Sequence, residues 1–326
     1  FFTICSEMAD ATNSAGAGGG GFIGTWVLRL LLERQHTVVA LDRRFHADRA
    51  ARILGPLATQ VVSYEVDLTD RQQLLSICQQ HRVTHLIHLA ALLTPACQQD
   101  PWTGAQVNIM GSLALFEAAR QLREPLQGFS YASSYAVYGP EVGDDPAVSS
   151  SVNSSSINRP PSFYGAFKLA VDLIAEQYWR HFQIASVGIR PHVVYGPERD
   201  QGLTAGPSLA TRAAVEGRPY AIGYRGRVAY DYVEDVALAF VRGALETPRR
   251  SLVVDLPGEL ATCEEFAAAI HAEVPGSADL ISVAGDEIPA NIPPTPNYIH
   301  HLFPDWRVTS LREGVRRTAD FYRAMS

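Results

Sequence analysis

Short β-branched runs alternate with amphipathic stretches through the first part of the chain, and this alternation constrains the fold more than any other feature. Thr37–Asp42 (TVVALD), Val61–Val66 (VVSYEV), Val83–Ala90 (VTHLIHLA), Gly128–Ser133 (GFSYAS), Ser186–Arg190 (SVGIR) and, late in the chain, Leu252–Leu256 (LVVDL) read as strands. Thr25–Arg34, Arg71–Gln80, Gly111–Leu122 and Phe167–His181 carry apolar residues at three- and four-residue steps, the period of a helix with one buried face. Parallel strands need a crossover, usually a helix, so this order predicts an α/β protein with a doubly wound parallel sheet. From Pro191 the alternation weakens and Pro and Gly become frequent. The expected division is a sheet domain of residues 1–189 plus 228–256 and a smaller lobe of 190–227 plus 257–326.

One region conflicts with this pattern. A doubly wound fold opens with an apolar strand running into its glycine turn, yet Ala11–Gly16 is small and polar. Either Phe1–Cys5 is that strand followed by a long loop, or the segment before Gly18 is foreign to the fold. The central slot is expected to be filled weakly from residues 1–17. Ser149–Ser156 and Ile292–Pro296 read as loops.

Composition narrows the function classes. The 326 residues are 47% hydrophobic and 19% charged, which suits a globular protein with a sizeable core. A formal net charge of −7, with no basic run longer than Arg249-Arg250, argues against a nucleic-acid partner. The apolar stretches fall short of the roughly 18 residues that a spanning helix needs, so no membrane association is expected. Cys5, Cys78, Cys97 and Cys263 form no Cys-x-x-Cys pair, which fits reduced thiols and a cytoplasmic address. His81, His85 and His88 lack metal-ligand spacing, and Asp144-Asp145 and His300-His301 read as solvated, so no metal is expected.

Gly18 to Gly24 (GGGGFIG) contains Gly-x-x-Gly-x-x-Gly directly before an amphipathic helix. Such glycines let the backbone turn tightly against a pyrophosphate, whose charge sits at the helix N-terminus. A flexible linker would show the same letters. Asp42 strengthens the nucleotide reading, because it closes the next strand 18 residues after Gly24, where a carboxylate accepts ribose hydroxyls. It would repel a 2′-phosphate, although Arg43 and Arg44 partly compensate, so NAD is expected over NADP. Gly18, Gly21, Phe22, Ile23, Gly24, Asp42 and Arg43 are the expected contacts of this half. Asp67-Leu68 suits an adenine edge, and Asp67 equally suits a helix cap.

Tyr164-Gly-Ala-Phe-Lys168 places a phenol and an ammonium four residues apart on one helix face. That spacing is common by chance. Ser133-Ser134 ends a strand at the open edge of the sheet, where a hydroxyl, a phenol and an ammonium can surround one carbinol. Beside Lys168 and an oxidised nicotinamide, the Tyr164 phenol is expected to fall below its usual pKa and act as a general base.

These motifs together resemble the extended short-chain dehydrogenases/reductases, also called NAD-dependent epimerase/dehydratases. The resemblance spans nearly the whole chain and includes His88-Leu-Ala-Ala91, Val107-Asn108, Ser133 to Gly139, Arg190 to Pro197, and Tyr232 to Val236. It implies a Rossmann sheet binding NAD, a substrate-binding lobe, and Tyr164 as base with Lys168 and Ser134 beside it. It further implies that Leu89, Ala90 and Ala91 line the cofactor, Asn108 supports the site, and Pro191 and His192 lie near the nicotinamide. Thr94, Ser134, Tyr135, Arg199 and Arg227 are the expected substrate contacts. Tyr135 and Ala136 stand where the dehydratase branch has Asp and Glu, so dehydration is not expected. Val193 and Val228 stand where nucleotide-sugar members carry Asn and Arg, which turns the expectation towards free sugar acids and a dehydrogenase. A nucleotide-sugar epimerase with recycled NAD is the alternative, and a non-catalytic NAD-binding sensor or scaffold is the rival of another class. The resemblance also implies a homodimer formed through Gly111–Leu122 and Phe167–His181.

Overall fold

The computed structural model describes residues 20–139, 159–288 and 297–325, and the backbone of three strands ahead of Gly20. Those strands are β1 (Phe2–Met8), β2 (Ala11–Thr12) and β3 (Ser14–Ala17). The alternating part follows as α1 (Phe22–Glu33), β4 (Val39–Asp42), α2 (Ala47–Leu54), β5 (Val62–Glu65), α3 (Arg71–Gln80) and β6 (Val83–His88). It continues through α4 (Thr94–Gln99), α5 (Pro101–Ala105), a π turn (Gln106–Met110), α6 (Gly111–Arg120), β7 (Gly128–Ala132), α7 (Phe163–Phe182) and β8 (Ser186–Arg190). The remainder comprises β9 (Val193–Tyr195), α8 (Gly206–Val215), β10 (Tyr220–Ile222), β11 (Arg227–Tyr232), α9 (Val233–Leu245), β12 (Ser251–Asp255), β13 (Glu259–Thr262), α10 (Cys263–Glu273), β14 (Ile281–Val283) and α11 (Leu311–Arg323).

The large sheet is doubly wound, as expected. Its parallel strands run β12, β8, β7, β6, β3, β4, β5. The strand order reverses at β3, and that switch point opens a crevice at the carboxyl ends of β3 and β6. The central slot is indeed filled from within residues 1–17. β3 pairs with β6 from Ser14 to Ala17 but with β4 only at Ala17, while β1 runs antiparallel to both neighbours. One apolar layer packs α1 and α9 on the sheet through Leu28, Leu31, Phe240 and Val241. The other packs α3, α6 and α7 through Leu74, Phe116, Val171 and Ala175.

The chain after Pro191 holds more strands than its sequence advertises. β9 and β13 flank β11 in one small sheet, and β10 pairs with β14 in another. Most of these strands are three or four residues long, too short for a visible alternation. The expected loops at Ser149–Ser156 and Ile292–Pro296, with Asp144-Asp145, lie outside the described residues. Among the described residues no helix is long and apolar enough to cross a membrane, and no group of three His, Cys, Asp or Glu could hold a metal.

Candidate active site

The crevice holds two adjoining chambers of about 520 and 460 Å³, which share Ile23, Leu89, Ala91, Leu93 and Arg199 in their walls. Gly21, Phe22, Ile23, Gly24 and Asp42 line the first chamber. Gly21 is the N-cap of α1 and brings no side-chain cap, which leaves first-turn amides available to an anion. Asp42 is buried, and its two oxygens accept the Gly20 and Arg44 amides at 3.2 and 3.0 Å. A carboxylate offers about four lone-pair sites, so capacity for ribose hydroxyls remains. A Cβ at Gly20 would lie 2.7 Å from the His46 amide nitrogen and 3.1 Å from Asp42, so only glycine permits this turn. Cradle, helix start and carboxylate together fit a dinucleotide. Gly18 lies outside the described residues.

Other expected contacts of this half sit elsewhere. The exposed Asp67 carboxylate accepts the Thr69 amide and hydroxyl at 2.8 and 2.6 Å, which holds it below its usual range; it lines neither chamber, because local bonds within its turn claim it. Arg43 is exposed near Asp67, while Leu68 and Ala90 are buried in the core. Asn108, on the π turn, exchanges two bonds with the Leu92 peptide at 2.7 and 3.0 Å and so shapes the wall rather than facing a ligand. His46, Arg49 and Asp200, which sequence reasoning did not single out, complete the first chamber. Arg49 donates to the Gly20 carbonyl at 3.0 Å and to Asp200 at 2.6 Å, while Arg52 pairs with Glu198 at 2.6 Å.

The second chamber gathers Thr94, Ser134, Tyr135, Tyr164, Lys168, Pro191 and His192. The helix carrying Tyr164 starts at Phe163, earlier than its apolar period shows, because Ser162 caps it by accepting the Gly165 amide at 3.1 Å. A Cβ at Gly165 would sit 2.0 Å from the Ala136 carbonyl oxygen, so glycine lets α7 close on the turn after β7. Tyr164 and Ser134 stand together in this chamber, and the Ser134 Oγ accepts the Ala136 amide at 3.1 Å. The Lys168 Nζ donates to the Ala132 carbonyl at 2.6 Å and lies 5.7 Å from the Tyr164 ring centroid.

The expected fall in the Tyr164 pKa counted on the charge of an oxidised nicotinamide, and the protein's own groups do not produce it. In the chain alone burial pushes the phenol up to about 12, and the Ser134 hydroxyl and Arg199 only partly oppose this. Burial also pulls Lys168 down to about 8 and the His192 ring down to about 4. Tyr135 donates to the Leu256 carbonyl at 3.2 Å and presents its ring as a wall. Arg199 donates to the Val194 carbonyl and to Thr204 Oγ1, while its buried Nε has no hydrogen-bond partner among the described residues. Arg227 is exposed and lines neither chamber; its neighbour Val228 faces the second one, because side chains alternate along β11.

A glycine turn, a buried carboxylate beside it and a Tyr/Lys/Ser cluster at one switch point define a dinucleotide-binding protein of the doubly wound class. Residues 17–253 match the NAD dependent epimerase/dehydratase family, and the chain belongs to it. Its cofactor is accordingly NAD. The chain is 34% identical over 167 residues to a UDP-glucose 4-epimerase of Erwinia amylovora, a match spanning 49% of this chain and 47% of that protein. A UDP-glucose 4-epimerase of Thermus thermophilus solved in complex with NAD aligns with a TM-score of 0.70 and 25% identity, over 95% of this chain and 98% of that one. A UDP-N-acetylglucosamine 4-epimerase of Methanobrevibacter ruminantium shares the fold at a TM-score of 0.77 and 23% identity, over 96% and 98% of the two chains.

Proposed function

We propose that this protein is a sugar epimerase that oxidises and re-reduces one carbinol around a retained NAD. The observation that carries this reading is the tie across the first chamber. The Glu198–Gly202 loop lines it beside the glycine turn, and Arg49–Asp200 and Arg52–Glu198 fasten that loop to α2. A fastened wall would slow exchange of a bound dinucleotide, as an enzyme that oxidises and re-reduces its substrate in one binding event requires. Hydride acceptance is the chemistry that NAD supplies when bound. Tyr164 takes the carbinol proton on its phenolate oxygen, Ser134 holds the same substrate oxygen, and Lys168 supports Tyr164 and the nicotinamide ribose. Thr94 and the Tyr135 ring shape the sugar pocket. Arg199 offers its spare N–H donors to an acidic group of the substrate. The UDP-sugar 4-epimerases among the relatives support this reading.

Denaturing freshly purified protein is expected to release close to one equivalent of NAD(H) per chain. Almost none, with NADH formed from added NAD and a sugar acid, would replace the epimerase by a dehydrogenase. That second reading draws on Val193 and Val228, whose apolar side chains line the substrate chamber where a nucleotide diphosphate would need polar partners. Failure of added NAD to bind would overturn both.

The protein is further proposed to be a homodimer. Trp102, Met110 and Leu173 are 75%, 53% and 56% exposed on α5, the π turn and α7, and a second copy of these helices would cover them. Light scattering is expected to give twice the 35.6 kDa chain mass at micromolar concentration, and a monomer would contradict the dimer.

A further inference from the structure

α7 meets the exit of β7 as an ordered series of contacts. Tyr164, Lys168 and Asp172 stand at four-residue steps on one face of the helix. Tyr164 stands beside Ser134 in the second chamber, Lys168 donates to the Ala132 carbonyl at 2.6 Å, and Ser133 Oγ donates to Asp172 Oδ2 at 2.9 Å. Three consecutive residues of the strand exit therefore each meet a different turn of one helix. The first two contacts belong to the reacting set, and the third has no role in the reaction described above.

Asp172 is 7% exposed, and its surroundings are specific. Arg190 of β8 reaches Oδ2 through Nε at 3.2 Å and Nη2 at 2.7 Å. The Tyr131 hydroxyl of β7 lies beside the carboxylate. Arg190 is in turn shared with the Tyr138 hydroxyl at 2.6 Å and with Asp255 of β12 at 3.9 Å. Burial raises the Asp172 carboxyl, while Arg190 and Ser133 pull it back towards ionisation.

The group that Asp172 faces along its own helix is unusual in this chain. Lys168 is the only lysine among 326 residues, against 26 arginines. Everywhere else a cation is supplied by guanidinium, which keeps its proton under any ordinary condition; position 168 carries the one amine, which can lose it. Lys168 is 3% exposed, and burial disfavours its charged form. The charged or ionisable groups around it are Asp172 one turn along, the Tyr164 phenol one turn back with its ring 5.7 Å away, Cys97 of α4, a thiol that burial holds neutral, and, behind Asp172, the Arg190 guanidinium.

We propose that Asp172 is a positioning residue: its carboxylate keeps the Lys168 ammonium charged and, through Ser133, fixes the strand exit that presents Ser134 to Tyr164. This rests on the assignment of Tyr164, Lys168 and Ser134 as the reacting set, but its test needs no substrate. Protein grown with ¹⁵N-labelled lysine carries the label in one side chain, so the Lys168 amine can be titrated directly by NMR.

In the wild-type protein Lys168 is expected to half-titrate near pH 8. In Asp172→Asn the midpoint is expected to drop by about one pH unit, a tenfold change in protonation ratio, and in Asp172→Glu to stay near the wild type. An unchanged midpoint in folded Asp172→Asn would overturn the proposal. Because that variant leaves Arg190 with one partner fewer, Arg190→Gln is titrated as well. It removes a cation and keeps the Asp172 carboxylate, so its midpoint is expected to stay at or above the wild type; a fall like that of Asp172→Asn would show that disturbing the network, and not losing the carboxylate, moves Lys168, and would overturn the proposal. Loss of sugar turnover with a normal Lys168 titration in the wild type would instead count against the reacting set itself.

Discussion

Tyr164→Phe is expected to cut turnover by about a thousandfold while NAD stays bound, the loss that follows from removing a well-placed general base. The phenol sits in the second chamber with Ser134 and Lys168, and the Lys168 amine is turned to the Ala132 carbonyl, which leaves the phenol to meet the carbinol proton. His192 lines the same chamber, but burial pulls it down to about 4, which leaves a poor base. Because burial pushes Tyr164 up to about 12, the group is mostly phenol at pH 7, and its phenolate fraction rises about tenfold per unit. The wild-type oxidation rate is therefore expected to climb with pH, and the residual rate of Tyr164→Phe to stay flat over the same range. Undiminished activity in the variant would sink the assignment.

Lys168→Arg is expected to lose about a hundredfold in kcat although it keeps the charge, since misplacing a positioning group by about an ångström costs that order. The ammonium fills a buried site and makes a single 2.6 Å contact with the Ala132 carbonyl. A planar guanidinium with five donors is larger and would leave N–H groups unpaired in that space. Near wild-type turnover in Lys168→Arg would show that charge alone suffices. Measuring NAD affinity by tryptophan fluorescence alongside kcat separates a lost ribose contact from a lost effect on Tyr164.

Parts of this site were legible because they depend on short, fixed steps along the chain. Gly21 caps a helix that holds Gly24 in its first turn, Asp42 ends the next strand, and Tyr164 and Lys168 share a helix face, all properties of local geometry. The lone lysine was also a signal within the sequence: one amine among 26 arginines marks a position where guanidinium does not serve. Arg199 and Arg227 were indistinguishable as letters. Strand register turned Val228 into the chamber and left Arg227 outside, whereas Arg199 became part of both chamber walls. Asp42 ends one strand and Asp67 lies two residues past the next, yet Asp67 is claimed by its own turn and Asp42 by the glycine loop 22 residues earlier.

By itself, then, the sequence determined the doubly wound sheet, the dinucleotide turn and the candidate Tyr164, Lys168 and Ser134 trio, because hydrophobic period and four-residue spacing are local and survive without knowledge of neighbours. Only the tertiary structure decided which carboxylates and guanidinium groups meet. The Asp172–Arg190 pair, the Arg49–Asp200 tie and the desolvation that raises Tyr164 all depend on segments brought together from far along the chain, and the energy of a charge depends on what surrounds it.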